Sequence, residues 1–250
     1  MAFRIIPRLD VKPPHLVKGI HLEGVRKLGS PSDFAERYYR EGADELFYQD
    51  VVASLYGHNT IERLIEEAAK KLFIPLTVGG GLRSVDDIQK VLRHGADKVS
   101  LNTAAIKDPA LIREAAQVFG SQCIVIALEI ARSGPRSWEP LIDSGREHTG
   151  RDALEWAQRA VDLGAGELFV TSIAQEGTRR GFDFDFVDLL LQKVEVPVVL
   201  HGGAGSIADV VEAARHGVSG VAISSILHYG RSTIPEIKRG LHQAGFPVRL

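Results

Sequence analysis

Several things are scarce in this 250-residue sequence, and each scarcity narrows what it can be. There is a single cysteine, Cys123, so no intramolecular disulfide framework is available, and the residue reads as a small core side chain. Net charge is scarce too: 30 lysines and arginines stand against 32 aspartates and glutamates, a formal charge of -2. That removes the basic footprint a nucleic-acid binder needs. Long apolar runs are missing; the longest, Cys123 to Leu128, is far shorter than the ~20 residues of a membrane span. The chain opens Met1-Ala2-Phe3-Arg4-Ile5-Ile6, straight into a strand-like run with no leader pattern before it. Metal-ligand spacing is absent: no cluster of His, Asp and Glu has it, His15 and His21 fall in loops, and His94 and His216 fall at helix ends. These gaps exclude membrane, secreted, fibrous and disordered classes. They leave a cytoplasmic protein with no metal and no cofactor as the expectation.

What is present is ordinary globular material, with 44% hydrophobic and 25% charged residues. A chain of this length can be one domain or two, and α/β barrels commonly take ~250 residues as one. Short apolar runs alternate with helical patterns. The strand-like runs are Ile5 to Asp10, Glu45 to Asp50, Pro75 to Val78, Lys98 to Leu101, Ile124 to Glu129, Leu168 to Ser172, Val198 to His201 and Gly220 to Ser224. Between them lie helix openers: Ser30-Pro31-Ser32-Asp33, Asn59-Thr60, Ser84, Asp108-Pro109 and Asp152. Polar loops follow the first and fifth runs. Near-continuous apolar strands suit a parallel sheet covered by helices.

Repetition is the strongest organising signal. Phe34-Ala35-Glu36-Arg37 and Gly42-Ala43-Asp44-Glu45-Leu46-Phe47 return as Trp156-Ala157-Gln158-Arg159 and Gly164-Ala165-Gly166-Glu167-Leu168-Phe169, an offset of 122 residues. The same offset pairs Pro75 with Pro197, Gly80-Gly81 with Gly202-Gly203, and Arg93-His94-Gly95 with Arg215-His216-Gly217. Generic similarity among βα units would scatter over many offsets. One long offset points instead to two half-barrels fused into a closed (βα)8 TIM barrel, a single domain over residues 1–250, with its functional face at the C-terminal ends of the strands.

The repeat also duplicates a phosphate-binding pattern. Val78-Gly79-Gly80-Gly81 ends the third strand, and Asn102-Thr103 follows the fourth; His201-Gly202-Gly203-Ala204-Gly205 and Ser224-Ser225 are their counterparts. Glycines let backbone N–H groups approach a phosphate, and hydroxyls and helix starts complete the cradle. Two such cradles across one mouth imply a long ligand with a phosphate at each end. Between them, Asp10 ends the first strand and Glu129 the fifth, a pair suited to general acid and base work, with a salt bridge to Lys18 as the plainer reading of Asp10. Asp50 and Glu176 stand near other strand ends and fit orienting roles, and Glu176-Gly177-Thr178 can reach the ligand on a loop.

Taken together, Arg4-Ile5-Ile6-Pro7-Arg8-Leu9-Asp10-Val11-Lys12, Leu16-Val17-Lys18-Gly19, Thr77-Val78-Gly79-Gly80-Gly81 and Gly95-Ala96-Asp97-Lys98-Val99-Ser100-Leu101-Asn102-Thr103 resemble the cyclase subunit of imidazole glycerol phosphate synthase. The resemblance runs over essentially the whole chain. It implies an ammonia-using ring closure on a bis-phosphorylated ribulosyl aminoimidazole nucleotide, in a heterodimer with a glutaminase subunit docked at the opposite end of the barrel. By position, it implies Asp10 as acid or base and Lys18 on a mobile loop. It implies Gly81, Asn102 and Thr103 at one phosphate, Gly203, Ser224 and Ser225 at the other with Gly177 nearby, and Ser144 on the loop after the fifth strand. Arg4, Glu45, Lys98 and Glu167 match a charged gate for ammonia, and each falls where a strand begins; stabilising salt bridges would place the same residues there. The departures cluster at the mouth. Glu129 stands for an aspartate, Arg8 for a common cysteine, His201 for a small residue, and Ala174-Gln175-Glu176 for Asp-Arg-Asp, while the Gly19-to-Gly24 loop also differs. Such a pattern suits a changed substrate. It keeps open a paralogue that channels ammonia to amidate a surface-sugar precursor, a phosphosugar isomerase on the sister fold, and a non-enzymatic activator of a glutaminase.

Overall fold

A computed structural model describes residues 2–53 and 61–249, so the Asn59-Thr60 helix opener lies outside the described residues. Eight parallel strands close on themselves. We number these barrel strands β1 (Arg4–Lys12), β2 (Leu46–Asp50), β3 (Leu76–Gly79), β4 (Lys98–Leu101), β5 (Ile124–Gly134), β6 (Glu167–Ser172), β7 (Val198–His201) and β8 (Gly220–Ile223). Each pairs with its neighbour in chain order, β8 returns to β1 through Arg4↔Gly220, and β5 pairs with β6 through Leu128↔Val170. This is the (βα)8 barrel that the alternating pattern predicts.

Two apolar regions hold it together. The larger lies between strands and helices, and includes Ile5, Leu9, Tyr48, Ile88, Ile126 and Leu168. The smaller fills the barrel interior with Ile6, Phe47, Val125, Phe169, Val199 and Ala222. Strand alternation explains the division on β1. Ile5 and Leu9 face the helices, while Arg4, Ile6, Arg8 and Asp10 point into the barrel, in order from its base to its mouth.

The helix starts follow the capping residues in the sequence. Ser30 accepts from the Asp33 N–H ahead of Pro31–Arg40, Ser84 from Asp87 ahead of Val85–Arg93, and Asp152 from Leu154 and Glu155 ahead of Ala153–Asp162. Ser206 forms a capping box at the repeat position of Ser84. Asp108-Pro109 precedes Ala110–Phe119 as expected, but a short helix, Thr103–Lys107, comes between β4 and that point. Cys123 is half-buried against the larger core rather than fully inside it.

The two long loops are corrections. After β1 the chain makes a hairpin of His15–Ile20 and Glu23–Gly29, so His15 sits in a strand, and after β5 it makes another through Ser137–Ile142. Both hairpins rise at the mouth, one in each half of the repeat. Among the described residues, no helix is long and apolar enough to cross a membrane.

Candidate active site

Asp10 and Glu129 both sit in the mouth and both are buried, but their surroundings differ. Arg8 lies two residues before Asp10 on the same face of β1, and its Nε is 2.9 Å from Asp10 Oδ1. Lys18 Nζ, from the first hairpin, is 3.8 Å from the other oxygen. Burial pushes the Asp10 carboxyl up, yet the two cations outweigh it and hold Asp10 below the ordinary carboxylate range. Among the described residues, Glu129 has no ion pair of that kind. Burial pushes it up to about 7; Arg8 opposes the shift and the Asp10 charge adds to it. Asn102 Nδ2 donates to Glu129 Oε2 at 3.1 Å, and the Gly145 N–H also reaches the carboxylate. One acid is therefore held ionised while the other exchanges a proton near neutrality, which is the separation that paired acid–base chemistry requires.

The two sides of the mouth expected to hold phosphate are unequal. On the β3/β4 side a cavity of about 430 Å³ is lined by Gly81, Asn102, Thr103, Ser144, Asp50 and Glu129, with Arg83 and Lys107 as cations at its edge. Asn102 Oδ1 and Ser100 Oγ are buried there without a hydrogen-bond partner among the described residues, which marks them as groups a ligand would satisfy. Gly81 has φ of 72°, and a Cβ on it would come within 2.5 Å of Ala53 Cβ, so only glycine lets the backbone turn there. On the β7/β8 side the space is about 20 Å³, between Lys18, Glu176, Gly177, Gly203, Ser224 and Ser225. The Lys18–Glu176 ion pair fills it, and Ser224 Oγ is committed to the Arg8 carbonyl oxygen at 2.9 Å.

At the other end of the barrel, Arg4 donates to Glu45 at 2.7 Å and to Glu167 at 2.5 Å. Lys98 completes the circle, 3.0 Å from Glu45 and 2.9 Å from Glu167. Two cations and two anions alternate around the axis, each touching both opposite charges. Burial lowers the Arg4 pKa, but the two carboxylates outweigh it and raise it overall.

The family model described as histidine biosynthesis protein matches residues 4–233. The chain is 52% identical over 206 residues to the imidazole glycerol phosphate synthase subunit HisF of Legionella pneumophila, an alignment that covers 82% of this chain and 97% of that protein. It is 43% identical over 249 residues to the HisF subunit of Gluconacetobacter diazotrophicus, which covers 100% of this chain and 96% of that one. The chain belongs to the HisF family.

Within this HisF-family barrel, the residues singled out from the sequence fall into three groups. Asp10, Lys18, Glu176, Gly177, Gly203, Ser224 and Ser225 gather on the β7/β8 side, and Glu129, Asp50, Gly81, Asn102, Thr103 and Ser144 on the β3/β4 side. Arg4, Glu45, Lys98 and Glu167 form the ring at the base. Asp50 lines its cavity while its Oδ1 accepts from the Val52 and Ala53 N–H groups, so it also shapes the turn after β2. Asn102 serves Glu129, a contact its strand-end position does not announce. Among the described residues, no group of three or more His, Cys, Asp or Glu could hold a metal ion. Sequence reasoning noted Arg8 and His201 only as departures. The available signal was spacing: Arg8 is i−2 from Asp10 on one strand face, which forces the two side chains together.

Proposed function

We propose that this chain is the cyclase subunit of imidazole glycerol phosphate synthase. It would use ammonia from a glutaminase subunit to convert a bis-phosphorylated ribulosyl aminoimidazole carboxamide nucleotide into imidazole glycerol phosphate and aminoimidazole carboxamide ribonucleotide. The observation that carries this reading is family membership over the full barrel, joined to two mouth acids in opposite electrostatic settings. The name shared by the relatives favours histidine biosynthesis over amidation of a surface-sugar precursor.

In this reading Glu129 moves protons. At neutral pH it is present in both forms, so it can take a proton from the incoming nitrogen and return one to the leaving oxygen. Asp10 stays negative and stabilises positive charge that develops on the nitrogen. One phosphate is held by Gly81, Asn102 and Thr103 with Ser144. The other takes the Gly177, Gly203, Ser224 and Ser225 side, where it would compete with Glu176 for Lys18. The ring of Arg4, Glu45, Lys98 and Glu167 marks the face for the glutaminase subunit in a heterodimer. A cytoplasmic setting, a single barrel domain, and freedom from metal, nucleic acid and membrane complete the proposal.

The test supplies purified chain with ammonium and the ribulosyl nucleotide and follows imidazole glycerol phosphate. Turnover is expected with ammonium alone. No product at high ammonium, with tight binding of a glutaminase retained, would overturn the cyclase reading and favour the surface-sugar paralogue.

A further inference from the structure

Two of the departures noted in the sequence touch in the structure. Arg8 stands where a cysteine is common and His201 where a small residue is usual. They lie 193 residues apart in the chain, yet Arg8 Nη1 is 3.2 Å from His201 Nδ1. Thr171 completes the contact. It is the register partner of His201 on the neighbouring strand, so the two side chains leave the same face of the sheet. Its Oγ1 is 3.4 Å from Arg8 Nη1 and 3.2 Å from His201 Nδ1. The other edge of the guanidinium faces Asp10, with Nε 2.9 Å from Oδ1. Its carbon lies over the Phe47 and Phe169 rings, 5.7 Å and 5.6 Å from their centroids. Arg8, Asp10, Thr171 and His201 are all buried.

A buried guanidinium donates on every side and accepts nowhere, so it needs an acceptor at each edge. Asp10 serves one edge. Neutral His201 serves the other through Nδ1, while the Thr171 hydroxyl accepts from Arg8 and donates to His201. An imidazolium would offer no acceptor and would set a second cation beside the first; burial, and after it the charges of Arg8 and Lys18, keep His201 neutral. A small residue at 201 would take away one of the two acceptors at the far edge. Three other titratable groups face Asp10: Lys18 from the first hairpin at 3.8 Å, His228 after β8, and Glu129 on β5. Lys18 is shared with Glu176 and rides on the hairpin, whereas Arg8 sits on the same strand as Asp10 and is tied at both ends.

We propose that Arg8, His201 and Thr171 are positioning residues that act as one unit: His201 and Thr171 hold the guanidinium, and the guanidinium holds Asp10 as a fixed carboxylate. The use of that carboxylate in catalysis rests on the reaction proposed above; the hold on Asp10 does not.

The test follows the side-chain carboxyl carbons of the full chain labelled with ¹³C-aspartate through a pH titration by NMR, with the Asp10 signal identified by its loss in Asp10→Asn. In the unaltered chain Asp10 is expected to titrate below the ordinary aspartate range. Arg8→Cys should raise its midpoint by about one pH unit or more. His201→Ser should move it the same way by less, and Arg8→Cys with His201→Ser should match Arg8→Cys alone, because His201 acts through Arg8. If Arg8→Cys does not fold, Arg8→Lys carries the same reading, since it keeps a charge but cannot serve both edges. A midpoint that stays put when Arg8 is replaced overturns the proposal. So does a His201→Ser effect that is absent, or that adds in full to that of Arg8→Cys. A merely structural role would lower the melting temperature and leave the midpoint alone. Where the chain turns over the ribulosyl nucleotide, the acidic limb of its pH–rate profile should move with the midpoint; absence of turnover counts against the cyclase reading and leaves the titration to decide the hold on Asp10.

Discussion

At the scale of single residues, the site depends on who neighbours whom. Asp10 and Glu129 occupy equivalent strand ends, and their positions were legible because carboxylates at the C-terminal end of barrel strands face the mouth. Their division of labour was not legible, since it comes from Arg8 and Lys18 standing beside one acid and burial dominating the other. The Glu129 pKa, at about 7, lies above its unfolded value, so between the ordinary glutamate range and neutrality the folded chain holds a proton that the unfolded chain has lost. Stability from this group is full at acid pH and is lost as pH rises through 7. Glu129→Gln should therefore flatten the decline in melting temperature between pH 5 and 8, a window that spans the transition. The same substitution should lower turnover by about 10²–10⁴-fold and remove the limb of the pH–rate profile near neutrality. A profile that keeps that limb would assign it to another group.

At the scale of elements, helices were easier to read than hairpins. Ser30, Ser84 and Asp152 announce helix starts through short side chains that bond the next turn, a strictly local device. The hairpin after β1 has no such announcement. Its turn places His21 at φ 54° and Leu22 at φ 62°, where Asn-Gly would be the usual pair, and most of its outer strand, Glu23–Gly29, is exposed, with charges at Glu23, Arg26 and Lys27 and no apolar alternation. What holds it is tertiary: Glu176, from the loop after β6, pairs with Lys18 and accepts from the Leu22 N–H at 2.9 Å, while the Glu176 carbonyl accepts from His21 at 3.1 Å. Glu176→Gln should weaken this clamp. Hydrogen exchange at the Leu22 amide is expected to speed up by roughly tenfold, about 1.4 kcal/mol of local opening free energy, with the helices unchanged. Exchange that stays slow would mean the turn holds itself.

At the scale of the molecule, the repeat places like residues on opposite walls. Glu45 and Glu167 face each other in the ring, and Arg4 and Lys98 bridge them from both sides. Removing one cation leaves two carboxylates sharing one lysine. Because the side chains are partly exposed, between 7% and 18%, Arg4→Ala should cost about 1–3 kcal/mol, less than a fully buried pair. Chemical denaturation measures this, and a double-mutant cycle with Glu167→Gln should recover some of the loss; strict additivity would deny the coupling.

The sequence by itself determined the eight-stranded count, the closed barrel, the helix caps, the charged ring and the positions of both mouth acids. The ring was pointed to by a family resemblance at strand starts; the others rest on local periodicity, on short-range capping or on a repeat visible in one dimension. Only the tertiary structure decided that the β3/β4 side of the mouth is open while Lys18 and Glu176 fill the β7/β8 side, that Glu129 titrates near neutrality while Asp10 does not, and that Phe47, Phe169 and Arg8 meet on the axis. The reason is distance along the chain. Lys18 and Glu176 lie 158 residues apart, and Arg8 and His201 lie 193 apart. Their interactions depend on burial and on angstrom-scale separations that come into being only when the barrel closes.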